Sequence, residues 1–357
     1  RGDWIMKVDT SYISKKYETY LLQGTKAVKL TLGEWKEVEI EDEEDGNEGG
    51  DGEDEGPTME YRVVPIDDPV EMPAAQIVED NPVHKYEIIE SPVKKIRVGY
   101  LMYNSFTAGT KAEPEKYNNE LRSVSQKFKE AGVQAVILDL RYNEGGSMDC
   151  VQLLGTILTS ADRLGEPMAY LEYNDKNTDK DATILFGTDR EINLNLHSLI
   201  AITSGTTMGA PEMLIRSLFL EDTYPIATVG SSTKGQNVAT EQFINEEFLW
   251  SVNPVVCTVY NSQHDTYGAI SPATDLKVSE TTIDGSTNYS EFLPFGTFDK
   301  DGKSERLLKI AIGVLDGTYP PKDDETPEES TTQTRFKVEK SASSPASRRF
   351  SSKGLRL

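Results

Sequence analysis

The chain has 357 residues, 37% of them hydrophobic, and a formal net charge of −23. Its length suits about two domains with ordinary cores, and its charge argues against nucleic acid or anionic membrane as the main partner, because both need clustered cations. No apolar run approaches membrane-spanning length, and Cys150 and Cys257 sit among apolar neighbours, so they read as small buried hydrophobes rather than a disulfide or metal framework.

In chain order, residues 1–66 alternate as strands do, at Trp4 to Met6 and Val8, at Ala27 to Leu32 and at Tyr61 to Val64, which predicts a small β-rich domain. Glu39 to Glu55 is mostly acidic residues and glycine, a composition that buries too little apolar surface to order itself and predicts a solvated loop. It lacks the fixed ligand spacing of an EF-hand loop, so calcium binding is not expected. Proline and acidic residues over Pro65 to Pro92 predict a linker, placed at residues 67–94, and a domain boundary. From Lys95 strands and helices alternate, which predicts an α/β domain over 95–319. IRVGYLMY reads as a strand, Pro114 to Glu130 as a helix, Leu199 to Thr203 as a strand, Ala210 to about Leu220 as a helix, Ile226 to Val229 as a strand, and Glu305 to Leu315 as a closing helix after hairpin-like segments through Tyr260. Residues 320–357 are rich in Thr, Ser, Glu, Pro and Lys and end in a basic stretch, TRFKVEKSASSPASRRFSSKGLRL, expected to be a disordered tail.

The most informative stretch is Val133 to Leu158. Val136 to Leu140 is a β-branched apolar run, the pattern of a strand covered on both faces. Asn143, Glu144, Gly145 and Gly146 supply a turn, Ser147 is a good N-cap, and Val151, Leu153, Leu154, Ile157 and Leu158 recur at helical spacing. Amides at such a turn face outward and can meet an anion or a developing oxyanion. The same sequence also suits a tight strand-to-helix turn whose glycines serve backbone geometry alone.

Five blocks, KIRVGYLMYNSFTAG (Lys95 to Gly109), ILDLRYNEGG (Ile137 to Gly146), ITSGTTMGAPEM (Ile202 to Met213), VGSSTKGQNV (Val229 to Val238) and YGAISPATDL (Tyr267 to Leu276), resemble in kind and order the C-terminal processing peptidases, or tail-specific proteases. They resemble in particular the branch typical of Bacteroidetes lipoproteins. The opening RGDWIMKVD, with YETYLL and VKLTL after it, resembles the second half of a PDZ domain. The resemblance implies an α/β peptidase core of mixed sheet and helices, crotonase- or Clp-protease-like, preceded by a partial PDZ-like domain. It also implies a place outside the cytoplasm, a lipid anchor upstream of this chain, and a peptide or protein C-terminus as partner. No cofactor and no metal is expected, since no histidine and carboxylate set has ligand spacing.

That family cleaves peptides with a serine nucleophile and a lysine base. Its nucleophile lies three residues before a glutamate, which here is Glu212, so the nucleophile position falls on Gly209. Laying the family's lysine block on Gly230 to Gly235 puts Gln236 at the base position, with Lys234 as the alternative. Gly145, Gly146 and the amide of Ala210 match the oxyanion region, and Arg141 and Asn143 match residues that shape its turn. Neither glycine nor glutamine supports acyl-enzyme chemistry, so the resemblance implies a degenerate site that binds peptide or partner protein. Two alternatives stand beside it: an active serine endopeptidase pairing Lys234 with a displaced hydroxyl such as Ser204 or Thr207, and a structural protein whose cleft is filled. His84, His197 and His264 fall on no motif.

Overall fold

The computed structural model describes residues 4–14, 26–40, 58–66, 68–74, 79–248, 250–280, 282–283, 286–287, 293–299 and 304–320. The chain forms two units, one mainly of Arg1–Asp80 with Thr281–Leu293, the other mainly of Asn81–Glu280 with residues from Pro294 onward.

The first unit is β-rich, as its alternation predicts. Strands β1 (Trp4–Val8), β2 (Ser11–Tyr12), β3 (Val28–Ile40) and β4 (Thr58–Pro65) form an antiparallel sheet in the order β2-β1-β3-β4. A further strand, β5 (Val70–Met72), pairs with β3. Strand β3 runs two residues into the acidic stretch, to Ile40; the rest of the expected loop, the YETYLL segment and the tail beyond Pro320 lie outside the described residues.

The second unit is α/β. Its central sheet contains β6 (Val83–Glu90), β7 (Arg97–Tyr103), β8 (Ala135–Asp139), β11 (Leu199–Thr203) and β12 (Ile226–Gly230), in the order β12-β11-β8-β7-β6. Four of these strands are parallel and β6 is the antiparallel edge. Helices α1 (Lys116–Glu130), α2 (Met148–Leu158) and α3 (Ala210–Leu218) pack on one side and α4 (Arg306–Asp316) on the other. A second, antiparallel sheet carries β9 (Pro167–Tyr173), β10 (Ala182–Leu185), β13 (Val238–Thr240) and β16 (Val255–Tyr260), in the order β10-β9-β16-β13. Between β13 and β16 the chain makes a separate hairpin, β14 (Phe243–Asn245) with β15 (Trp250–Val252).

Strand β8 is central because alternate side chains serve two cores. Val136 and Leu138 face α1 to α3, packed with Phe128, Val151, Leu154 and Leu214, while Ile137 faces Leu307, Leu308 and Ala311 of α4. All five of its residues are buried, and each large one contributes about 1.5–3 kcal/mol on leaving water.

The expected linker at 67–94 is corrected by two strands within it. Val83 and Ile89 are buried while His84, Ile88 and Glu90 face out, so the stretch makes a half-buried edge strand, and the prolines that suggested a linker, Pro82 and Pro92, only bracket it. The unit boundary falls at Asp80, and residues 281–293 return to the first unit.

Candidate active site

Parallel strands end on the same side of a sheet, so the loops leaving β8, β11 and β12 converge there, the usual location of ligand sites in open α/β sheets. The loop after β8 is fixed by Asn143. Its buried side chain donates from Nδ2 to the Tyr103 carbonyl (2.9 Å) and accepts at Oδ1 from the Gly145 amide (3.0 Å). Of the two glycine amides, Gly145's is therefore occupied. Gly146 lies across a parallel bridge from Phe106, whose N–H donates to the Gly145 carbonyl (3.0 Å) and whose carbonyl accepts from Ser147 (2.7 Å). That pairing turns the amide of Gly146 the other way, and among the described residues it has no acceptor. Gly146 has φ +145°, and a Cβ there would lie 2.2 Å from the Phe106 carbonyl oxygen, so only glycine fits.

The loop after β11 leads into α3. Gly209 is the N-cap, with φ 69° and ψ −109°, a conformation L side chains rarely adopt. The Met208 amide donates to the Asn143 carbonyl (3.2 Å), which ties this loop to the previous one. Ala210 opens the helix, and its amide has no acceptor among the described residues. The hydroxyls on this loop are engaged by backbone: Ser204 Oγ donates to the Arg141 carbonyl, Thr206 Oγ1 to the same carbonyl (2.7 Å) and Thr207 Oγ1 to that of Leu140 (2.9 Å).

Glu212, fully buried in the first turn of α3, joins this loop to the one after β12. Its Oε2 accepts from the amides of Gly209 (2.9 Å) and Gln236 (2.8 Å). Its Oε1 accepts from the Gly235 amide (2.6 Å) and the Thr233 hydroxyl, and Thr233 Oγ1 accepts from the Ile270 amide (2.8 Å). Gly209 and Gln236 thus meet on one carboxylate oxygen. Among the described residues Lys234 is held only through its backbone, with its N–H on the Thr207 carbonyl (3.0 Å), and it is exposed. Gln236 is half-buried, with Nε2 3.5 Å from the Val238 carbonyl. Nearby, burial and the Glu212 carboxylate push the Tyr267 phenol above its ordinary pKa.

Beneath these loops lies a buried ionic cluster. Arg141 is fully buried; its Nε and Nη2 donate to Asp139 (2.7–3.0 Å) and its Nη1 and Nη2 to Glu305 (3.0 and 3.2 Å). Nη1 also reaches Glu280 (3.2 Å), and the guanidinium lies over the Phe295 ring at 5.2 Å. Burial works against the Arg141 charge, but Asp139 and Glu305 outweigh it and hold its pKa above the usual arginine value. The Tyr100 hydroxyl donates to Asp139 (2.8 Å), and burial with that carboxylate raises its pKa as well.

The family model for peptidase family S41 matches residues 97–253, the part of the chain that carries these loops. A solved structure from Bacteroides fragilis, assigned to the S41 proteases, shares 36% identity, with a TM-score of 0.73 over 89% of this chain and 73% of that one. The chain belongs to peptidase family S41. A photosystem II D1 C-terminal processing protease is also similar, at 16% identity over 78% of this chain and 63% of its own, with a TM-score of 0.42, too low to support any argument. No curated protein matches.

Within this S41 frame, Gly209, Gly235 and Gln236 gather around Glu212, Ala210 follows Gly209 at the start of α3, and Asn143 to Gly146 join them through Met208. Lys234 is the one candidate that is exposed. Four contributors escaped sequence reasoning. Glu212 is the central acceptor rather than a motif landmark, and Asp139, Glu280 and Glu305 hold Arg141. One signal was legible: an aspartate and an arginine inside the apolar run ILDL and just after it must be paired if buried. Among the described residues no group of His, Cys, Asp and Glu could hold a metal.

Proposed function

We propose that this S41 chain is a catalytically silent member of its family that binds the C-terminus of a peptide or partner protein outside the cytoplasm. The observation that carries this reading is the pairing of Gly209 with Gln236 on Glu212, at the positions where the family resemblance requires serine and lysine. Glycine offers no nucleophile and glutamine no base. Against a displaced hydroxyl in place of the serine stand the bonds that Ser204, Thr206 and Thr207 donate to main-chain carbonyls and the exposure of Lys234. Anion binding is supported by the amides of Gly146 and Ala210, which have no acceptor among the described residues. The extracytoplasmic setting and an upstream lipid anchor rest on the likeness to the lipoprotein-type branch.

The test compares fluorescent unstructured peptides carrying a free or an amidated C-terminus. The chain is expected to bind the free form about tenfold more tightly, a difference of about 1.4 kcal/mol, and to release no product. Equal binding of the two forms contradicts carboxylate recognition, and cleavage that Lys234→Ala abolishes contradicts silence.

A further inference from the structure

The hairpin β14–β15 presents the largest cluster of exposed apolar side chains among the described residues. Phe243, Ile244, Phe248, Trp250 and Val252 are between 46% and 68% exposed. Phe243 pairs with Val252 and Asn245 with Trp250, so Phe243, Trp250 and Val252 share one face, while Ile244 lies on the other. Among the described residues the two strands pair only with each other, which leaves both edges unpaired. A lone two-stranded hairpin is marginally stable in water and gains from a third strand or a cover on its apolar face.

Charge decides what covers it. Residues 238–260 contain Glu241, Glu246 and Glu247 and no lysine, arginine or histidine, and Glu246 borders a shallow groove of about 300 Å³ lined also by Ile244 and Trp250. A second copy would bring the same three glutamates against each other. Phe243, Trp250 and Val252 offer on the order of 300 Å² on their shared face, short of the roughly 800 Å² per partner of a standard protein interface and better matched to a short segment. The chain holds a complementary segment in Arg348–Leu357, RRFSSKGLRL, with four cations, no acidic residue and three large apolar side chains, Phe350, Leu355 and Leu357. The residues between Pro320 and Arg348 span up to about 90 Å when extended, more than the width of a domain of this size, roughly 45 Å.

We propose that the β14–β15 hairpin is the docking surface for the chain's own basic segment Arg348–Leu357, held by apolar contact with Phe243, Trp250 and Val252 and by charge pairing with Glu241, Glu246 and Glu247. Docking closes the hairpin's apolar face in the free protein, and any partner competing for that face has to displace the segment.

Hydrogen exchange on the full chain tests this. Amides of Phe243–Val252 are expected to exchange at least about tenfold more slowly in the native chain than in the triple variant Arg348→Glu, Arg349→Glu, Phe350→Ser. Synthetic RRFSSKGLRL added in excess should restore protection to that variant and fail to protect a second variant, Trp250→Ser with Val252→Ser. High salt should weaken the effect. Equal exchange in native and triple-variant chains overturns the proposal. So does a sedimentation coefficient that rises with concentration and falls back in the Trp250→Ser, Val252→Ser variant, which would assign the face to a second copy.

Discussion

At the scale of single residues, Arg141 and Glu212 show how a buried charge is made tolerable. Arg141 sits under the candidate oxyanion turn with Asp139 and Glu305 as its principal partners, so replacing it with methionine strands two buried carboxylates. The Arg141→Met change should cost about 3–5 kcal/mol, read as a fall in the denaturation midpoint with unchanged slope. A variant as stable as the native chain would show that the cluster is not a structural support. Glu212 accepts four hydrogen bonds, three of them from amides of the site loops. Glu212→Gln turns an amide NH2 toward these donors and should weaken stability by about 2–3 kcal/mol as well as peptide binding. Gly209 raises a different matter: serine at φ 69° and ψ −109° is strained, so Gly209→Ser alone should lower stability by about 1–3 kcal/mol without creating activity.

At the scale of elements, β8 and α4 make the site rigid from below. Leu138 is fully buried within β8, and Leu138→Asp should leave the domain unfolded, seen as loss of the cooperative thermal transition. Helix α4 is fastened at its end by Asp316, which accepts from the amides of Val93 (3.0 Å) and Lys94 (2.9 Å) in the β6–β7 turn. Burial alone would raise the Asp316 pKa, but these amides outweigh it and hold it below the usual aspartate value. A depressed folded pKa gives stability that is complete above the unfolded value of about 3.9 and is lost as pH falls through the folded value. The melting gap between the native chain and Asp316→Asn should therefore be constant from pH 7 to about 5 and close below about pH 4. A gap that widens on acidification would contradict this contact's role.

Much of the α/β unit was legible in the sequence for physical reasons that particular elements make plain. Strand β8, its glycine turn and α2 carry strong periodicity and turn chemistry, and β11 runs over Leu199–Thr203 as its apolar run predicts. Helices α1, α3 and α4 begin within two residues of their expected starts, since proline or an acidic residue marks each N-terminus. Strand β6 was hidden because an edge strand buries only some of its side chains, and its flanking prolines resemble a linker. Strands β9 and β10 lie in a stretch to which the sequence assigned no elements; they pair across the second sheet, a long-range relation no local pattern encodes. At the site, the glycine turn and Gly209 were visible as residue types, whereas the Asn143 bond that occupies Gly145 and the convergence on Glu212 arise only once three loops come together.

For the molecule as a whole, the proposed function comes to this: an S41 chain keeps anion-binding loops while Gly209 and Gln236 stand at the positions that the family resemblance assigns to serine and lysine. Intact-mass analysis after exposure to a fluorophosphonate, run beside an unstructured-peptide turnover assay, addresses it most directly. The native chain should gain no mass and cleave nothing above background, and neither Gly209→Ser nor Gln236→Lys alone should change that, because serine without a base is a weak nucleophile. The double variant should gain one adduct, located at position 209, and cleave peptide measurably, a non-additive result expected of two groups that act as a unit. Labelling and cleavage by the native chain, both lost in Lys234→Ala, would contradict the claim and assign the chemistry to a displaced dyad.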